Sequence, residues 1–436
     1  MNREKSKVLF ERAKKTLVGG VNSPVRSFKR VGGQAIFASR GDGPYIFDAD
    51  NNQYIDFVMS YGPHLFGHAH PTLIHAVQES LKNSFCLGMS SEKEIEWAEL
   101  FLEKVPHAEK VRAVSTGTEA TQTAIRLARG VTGRQLIVKY AGHYHGHVDS
   151  LLVDSGSGLA TLQAKNIVAD SKGLAEALIQ SSRVLPFNDL NALEELFKSE
   201  GTLIAGVILE PIMGNMGVVP PKTEYLKRLR ELCTQYSALL IFDEVMTGFR
   251  VGPQSAQGLY SIKPDLSCFG KIVGGGLPLA ALCGPAKYMD QLAPLGGVYQ
   301  AGTLSGNPVS ISAGIAMLKL LKTENPYEAL ETLGADVEAI YYEVAAKNHV
   351  KIRVERVGSM FSIYFREKAV HNANDCRDIS EGQFNQYFWS MLDEGIMLPP
   401  SPFEACFLAT VHKTAFKEKA FSEKLNKVFQ RVGSIH

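Results

Sequence analysis

The stretch ALLIFDEV (238–245) sets Ala238 to Phe242 in one unbroken apolar run and ends it at two adjacent carboxylates, Asp243 and Glu244. A run with no polar alternation reads as a strand buried on both faces, the environment of a parallel sheet. QLIVKY (135–140), IAGVILEPI (204–212) and LSCFGKIV (266–273) read as strands in the same way. Between two of them, PPKTEYLKRLRELCTQY (220–236) opens on prolines and spaces Leu226, Leu229, Leu232, Cys233 and Tyr236 as one face of a helix. Parallel neighbours need crossover connections, so this alternation predicts an α/β fold with a mainly parallel sheet. Such folds bind ligands outside the carboxyl ends of their strands, which is where Asp243 would stand.

Beyond about residue 320 the texture changes. VKIRVERVGSMFSIYF (350–365) reads as one or two strands, GQFNQYFWSMLDEG (382–395) as a helix, and the last thirty residues as another amphipathic helix. A smaller α+β unit at the C-terminus follows, with the N-terminal segment packed against it. The expected division is 1–60 for that segment, 61–315 for the large domain and 316–436 for the small one.

The charge balance bears on partners. Forty-six basic against forty-five acidic residues leave a formal charge of +1, with no electrostatic footprint for nucleic acid or an anionic membrane. The first twenty residues lack a continuous apolar core of the secretory type, and no apolar run is long enough to span a bilayer. Six scattered cysteines without a CxxC pair suit a reducing compartment, and the cytoplasm is the expected location.

Four segments could carry chemistry. VSTGTEATQTAIRLARG (114–130) places Ser, Thr and Gly before good helix formers. That predicts a helix N-terminus whose free N–H groups can bind phosphate, although an ordinary N-cap would look the same. YAGHYHGHVD (140–149) brings His143, His145 and His147 close together. No nearby cysteine completes a metal site, so a conformational role, or stacking of Tyr144 on a flat ligand, is the favoured reading. The carboxylates of ALLIFDEV could cap the next helix or pair with Arg250. CFGKIVGGGLPLAAL (268–282) sets Lys271 at a strand end before three glycines. A lysine held in partly apolar surroundings has its pKa pulled down, as a Schiff-base nucleophile requires. Taken together, a phosphate cradle, a stacking ring, a carboxylate and a lysine match the needs of pyridoxal 5'-phosphate.

In order along the chain, STGTEA, YHGH, GVILEPI, LLIFDEVMTGFR, GKIVGGGLP and QAGTLSGNP resemble the class III, fold type I pyridoxal-phosphate enzymes. Within that class VNSPVR (21–26), GSGLATL (156–162), QAGTLSGNP (300–308) and SPFEACF (401–407) are similar to the branch that isomerises glutamate-1-semialdehyde to 5-aminolevulinate for tetrapyrrole synthesis. The resemblance implies a seven-stranded, mainly parallel sheet in the large domain. It implies Lys271 as Schiff-base lysine and proton shuttle, Asp243 against the pyridine nitrogen and Tyr144 against the ring. Thr116, Gly117 and Thr118 would hold the phosphate, with Thr303 reaching it from the partner subunit of a homodimer that shares its active sites. Glu210 and Asn215 would line the cofactor's surroundings. Ser23, Arg26, Tyr61, Ser157 and Glu404 would face the substrate. The cofactor would alternate with its pyridoxamine form, and a transient diamine would be retained by a gate at DSGSGLATL (154–162). Transient docking with the enzyme that makes the aldehyde is also implied. Two departures stand out: Tyr61 replaces the usual tryptophan, and residues 163–189 lack the usual proline-containing loop. A leakier gate would let the pyridoxal form build up during turnover.

Overall fold

The computed structural model describes residues 1–154, 169–416 and 418–433. Seven strands form its largest sheet, in the spatial order Lys110–Val114, Ala280–Gly284, Phe269–Leu266, Leu239–Glu244, Ile204–Leu209, Leu136–Tyr140 and Ser182–Leu185. The five from Leu266–Phe269 to Ser182–Leu185 pair in parallel, and Ala280–Gly284 runs antiparallel to both its neighbours. All six residues of Leu239–Glu244 are buried, as the unbroken apolar run requires of a central strand.

The helix Thr223–Tyr236 makes the crossover between Ile204–Leu209 and Leu239–Glu244 and buries Leu226, Leu229, Leu232 and Cys233. The helix Gly117–Thr132 turns a small-residue face, including Ala120, Ala124 and Ala128, into the core. Small side chains there allow the helix axis to lie close to the sheet. On the opposite side Pro308–Thr323 is buried almost throughout, so its sequence shows little amphipathic stripe.

Two smaller sheets complete the architecture. Ala38–Asp42, Tyr45–Asp48 and Gln53–Asp56 form an antiparallel meander, and Ile396–Met397 from near the C-terminus adds in parallel to Gln53–Asp56. Arg353–Val357 and Met360–Tyr364 form a hairpin to which Cys406–Phe407 adds. The stretch 350–365 is thus two strands. The helix expected over 382–395 spans Glu381–Asp393, and that near the end spans Glu418–Val432.

One strand is shorter than its sequence suggests. LSCFGKIV is a strand only over Leu266–Phe269, and Lys271–Gly274 forms a short 3-10 turn. Lys271 has φ +52, and Gly275 and Gly276 also have positive φ. The left-handed backbone ends the ladder and turns the chain back into the antiparallel strand Ala280–Gly284.

Candidate active site

The carboxyl ends of the parallel strands open onto a cavity of about 680 Å³. Each end delivers one functional group. Leu239–Glu244 brings Asp243, Ile204–Leu209 leads into Glu210, Leu136–Tyr140 leads into Tyr144 and His145, and Leu266–Phe269 leads into Lys271. The start of helix Gly117–Thr132 supplies Gly117 and Thr118.

Asp243 is 4% exposed, and its Oδ2 lies 2.7 Å from His145 Nδ1. Its Oδ1 accepts from the Val245 N–H at 3.0 Å. Burial pushes its carboxyl up to about 7, against the opposing pull of the Val245 N–H and the Lys271 charge. Burial also holds the His145 imidazole well below its ordinary pKa, so the ring is neutral. The neighbouring Glu244 does not pair with Arg250. Its oxygens accept from the Thr247 hydroxyl and the N–H groups of Ala256 and Gln257, as a loop cap. Arg250 donates instead to Ser359 Oγ, Leu408 O and Gly62 O, which ties three separate segments together.

Glu210 is the second buried acid. It accepts from the N–H of Tyr144 at 2.8 Å, from the N–H of Gly214 at 2.9 Å and from Asn215 Nδ2 at 2.9 Å. Burial, then the nearby Asp243 charge, raise its carboxyl to about 8. Its own N–H donates to His143 Nδ1, which therefore carries the ring's lone pair. Glu210 and His143 thus staple the Tyr144 loop to the strand end. The histidine cluster serves conformation: His143 holds the loop and His145 holds Asp243.

Lys271 projects into the same cavity from its left-handed backbone. Burial lowers its pKa, while Glu404, Glu210 and Asp243 draw it back upward. At the helix start, the N–H groups of Gly117 and Thr118 make no hydrogen bond among the described residues. A Cβ on Gly117 would come within 2.9 Å of Val245 Cγ2, so glycine allows the helix end to close on the strand end. Thr116 is the N-cap, and its hydroxyl is spent on the Glu119 N–H at 3.2 Å.

Ser23, Arg26, Tyr61, Asn215 and Glu404 also line this cavity. The Arg26 side chain has no ion pair or hydrogen bond among the described residues. Thr303 lies elsewhere, on the surface, where its carbonyl accepts from the Cys86 thiol at 3.7 Å. Ser157 and nearly all of the expected gate fall outside the described residues. Sequence reasoning did not assign His145 to Asp243. Its place directly after Tyr144 was the available signal, since both follow the same strand. It also missed Ser60 and Met246, which line the cavity.

The residues of this cavity fit pyridoxal phosphate: free helix N–H groups, a buried carboxylate oriented by a second residue, and a lysine with lowered pKa converge on one space. The chain belongs to the class III aminotransferase family, whose sequence profile matches residues 28–425. It is 47% identical over 430 residues to a glutamate-1-semialdehyde 2,1-aminomutase from a Sulfurihydrogenibium species, covering 99% of each chain. It is 46% identical over 431 residues to the enzyme of that name from Aquifex aeolicus, covering 99% of this chain and 100% of the other. Among solved structures, an omega-transaminase from Sphaerobacter thermophilus superposes with a TM-score of 0.91 at 31% identity, covering 98% of this chain and 97% of the other.

Proposed function

We propose that this chain is a pyridoxal-phosphate enzyme that isomerises glutamate-1-semialdehyde to 5-aminolevulinate, moving the amino group within one substrate. The carrying observation is that Lys271 and Asp243 share one cavity with an arginine, Arg26, whose side chain has no partner among the described residues. A planar guanidinium left free beside a reactive lysine is suited to hold a substrate carboxylate by two parallel bonds.

Gly117 and Thr118 would hold the cofactor phosphate on their free N–H groups, and Asp243 would face the ring nitrogen. Tyr144, fixed by Glu210, would stand against the ring, with Asn215 beside it. Bound there, pyridoxal phosphate supplies an electron sink that acidifies the C–H bond next to the amino-bearing nitrogen. His145 keeps the Asp243 carboxylate aimed into the cavity. Lys271, with its pKa lowered by burial, spends more time neutral and can take a proton at Nζ and return it. Arg26, with Ser23 at the same wall, orients the substrate by its carboxylate; Tyr61 and Glu404 set the polarity of the remaining space. Ser157 is assigned to the substrate side and to the gate on resemblance alone.

The reading includes a homodimer that shares its active sites. Phe85, Leu87, Met89, Leu295, Tyr299 and Leu304 are large, exposed and apolar, and Cys86 and Thr303 from the same two segments touch. An apolar face of this kind suits burial between subunits, and Thr303 would then serve the partner's site. The reading also takes 61–315 as the cofactor-binding unit, with 1–60 and 316–436 packed together. Location in the cytoplasm is consistent with free cysteines, five of them buried.

The test is one incubation of purified protein with glutamate-1-semialdehyde and no keto acid. Many turnovers of 5-aminolevulinate per site are expected, falling by at least about 10⁴-fold in Lys271→Ala. Product limited to one equivalent per site, restored by a keto acid, would make it an omega-transaminase, as in the Sphaerobacter neighbour.

A further inference from the structure

A second cavity, of about 360 Å³, shares three wall residues with the first: Arg26, Ser60 and Tyr61. Its other walls come from residues 28–58, the N-terminal meander with its flanks, and from 397–400. Phe28, Ile46, Phe47, Val58, Met397 and Leu398 make most of that surface apolar.

The polar groups on the far side are already committed. Asp48 accepts from the N–H groups of Asp50 and Asn52, from Asn52 Nδ2 and from the Tyr54 hydroxyl. Asp56 accepts from the Val58 N–H at 2.8 Å, and its other oxygen lies 2.7 Å from His68 Nε2. Every oxygen of both acids already takes part in a hydrogen bond. The remaining polar groups, the Arg26 guanidinium and the Ser60 and Tyr61 hydroxyls, all stand in the shared wall.

That wall is fixed in place. Met59, Ser60, Tyr61 and Gly62 have φ of +44°, +55°, +64° and +117° in succession. Three consecutive side-chain-bearing residues in the left-handed region persist only where their surroundings over-determine them. The buried Arg250 supplies that constraint by donating to Gly62 O.

We infer that this second cavity is a binding site for an apolar-tailed monocarboxylate, its carboxylate on Arg26 and its tail among the apolar walls. A volume of this size accommodates a small organic ligand, and a mostly apolar pocket with a few convergent polar groups is the usual form of such sites. The expectation of competition rests on the proposed use of Arg26 for the substrate carboxylate, because one guanidinium cannot serve both.

The experiment uses the cofactor-loaded full chain and the straight-chain acids from butanoate to octanoate. Direct binding is measured by calorimetry, and inhibition is measured against glutamate-1-semialdehyde. Affinity should tighten about fourfold per added methylene, inhibition should be competitive, and octanol should bind at least tenfold more weakly than octanoate. Ile46 lines the second cavity and not the first, so Ile46→Trp, which narrows the chamber, should abolish the chain-length dependence and leave kcat/KM within twofold. A flat series, or a slope unchanged in Ile46→Trp, overturns the site.

If that variant does not fold, an octanoate carrying a photoreactive diazirine at its far end decides the matter. Labelling of Met397 or Leu398 supports the chamber, and labelling of Val245 or Met246 refutes it. Arg26→Ala separates the two proposals. Weaker octanoate binding with an unchanged substrate KM upholds the chamber and removes Arg26 from substrate binding. A raised KM with unchanged octanoate binding does the reverse.

Discussion

His145 Nδ1 and Asp243 Oδ2 stand 2.7 Å apart in the buried floor of the cavity, the histidine 1% and the aspartate 4% exposed. With Asp243 ionised, the neutral imidazole donates from Nδ1, leaving Nε2 as a buried lone pair with no partner among the described residues. His145→Phe would remove the one side chain that, among the described residues, hydrogen-bonds this carboxylate. Asp243 should then ionise less readily, moving the acid limb of the kcat profile to higher pH and lowering kcat about tenfold at pH 7, toward the low end of the 10–100-fold typical of outer-shell partners at metal sites. Asp243→Asn should cost at least about a hundredfold in kcat at every pH. An unmoved acid limb in His145→Phe would count against the assigned coupling.

Gly146 marks a second point of tight fit. A Cβ there would meet Thr118 Oγ1 at 2.2 Å and the Thr118 backbone at 2.9 Å, and the residue has φ +75. Gly146→Ala therefore has to displace Thr118, whose N–H is assigned to the phosphate, and also bears a left-handed strain of about 1–2 kcal/mol. Cofactor affinity, measured by fluorescence titration, should fall tenfold or more while the far-ultraviolet circular dichroism is unchanged. Unaltered affinity would separate this loop from the phosphate site.

The buried acids make the cofactor-free protein sensitive to pH. Asp243 is raised from 3.8 to about 7 and Glu210 from 4.5 to about 8, both chiefly by burial. Between the unfolded and folded values the folded chain binds more protons than the unfolded one. Their contribution is therefore most favourable below about pH 4 and declines as pH rises toward 8. Denaturant unfolding of the cofactor-free protein should show a shallower decline in Asp243→Asn, and a decline as steep as in the wild type would refute the assignment.

Lys139 lies in Leu136–Tyr140, the strand next to the sheet's edge, with no solvent exposure, and its Nζ donates to His143 O, Leu151 O and Val153 O. One ammonium thus gathers the loop that carries Tyr144 and leads toward the expected gate. Burial lowers its pKa to about 8, with Asp170, Asp154 and Glu210 opposing that shift. Lys139→Met leaves three buried carbonyls without this donor and nearby acids without their cation. A loss of about 3–5 kcal/mol in stability is expected by chemical denaturation. A loss under about 1 kcal/mol would mean that water replaces the ammonium.

The central strands were legible because burial on both faces leaves an unbroken apolar run, as in Leu239–Phe242. Helix Thr223–Tyr236 was legible because one face is buried and the other wet. Ala280–Gly284 escaped notice because AALCG follows directly on a glycine-rich turn, and its small residues carry no strong strand preference. The meander over 38–56 was equally hidden, since its outer strand is mostly exposed and polar. Lys271 was placed at a strand end, yet its left-handed backbone comes from the packing around the glycine turn, and lysine itself gives no sign of it.

The sequence by itself determined the α/β class, the buried central strands and the residue types at their carboxyl ends, because burial and chemistry are written residue by residue. Tertiary structure alone decided the partnerships. Glu244 caps a loop while Asp243 meets His145, Arg250 binds carbonyls rather than a carboxylate, and Arg26 stands in the wall between two cavities with no side-chain partner among the described residues. These pairs are separated by up to 188 residues in the chain. No local pattern encodes such contacts; they arise when independently buried segments pack and each polar group takes the nearest partner that satisfies it.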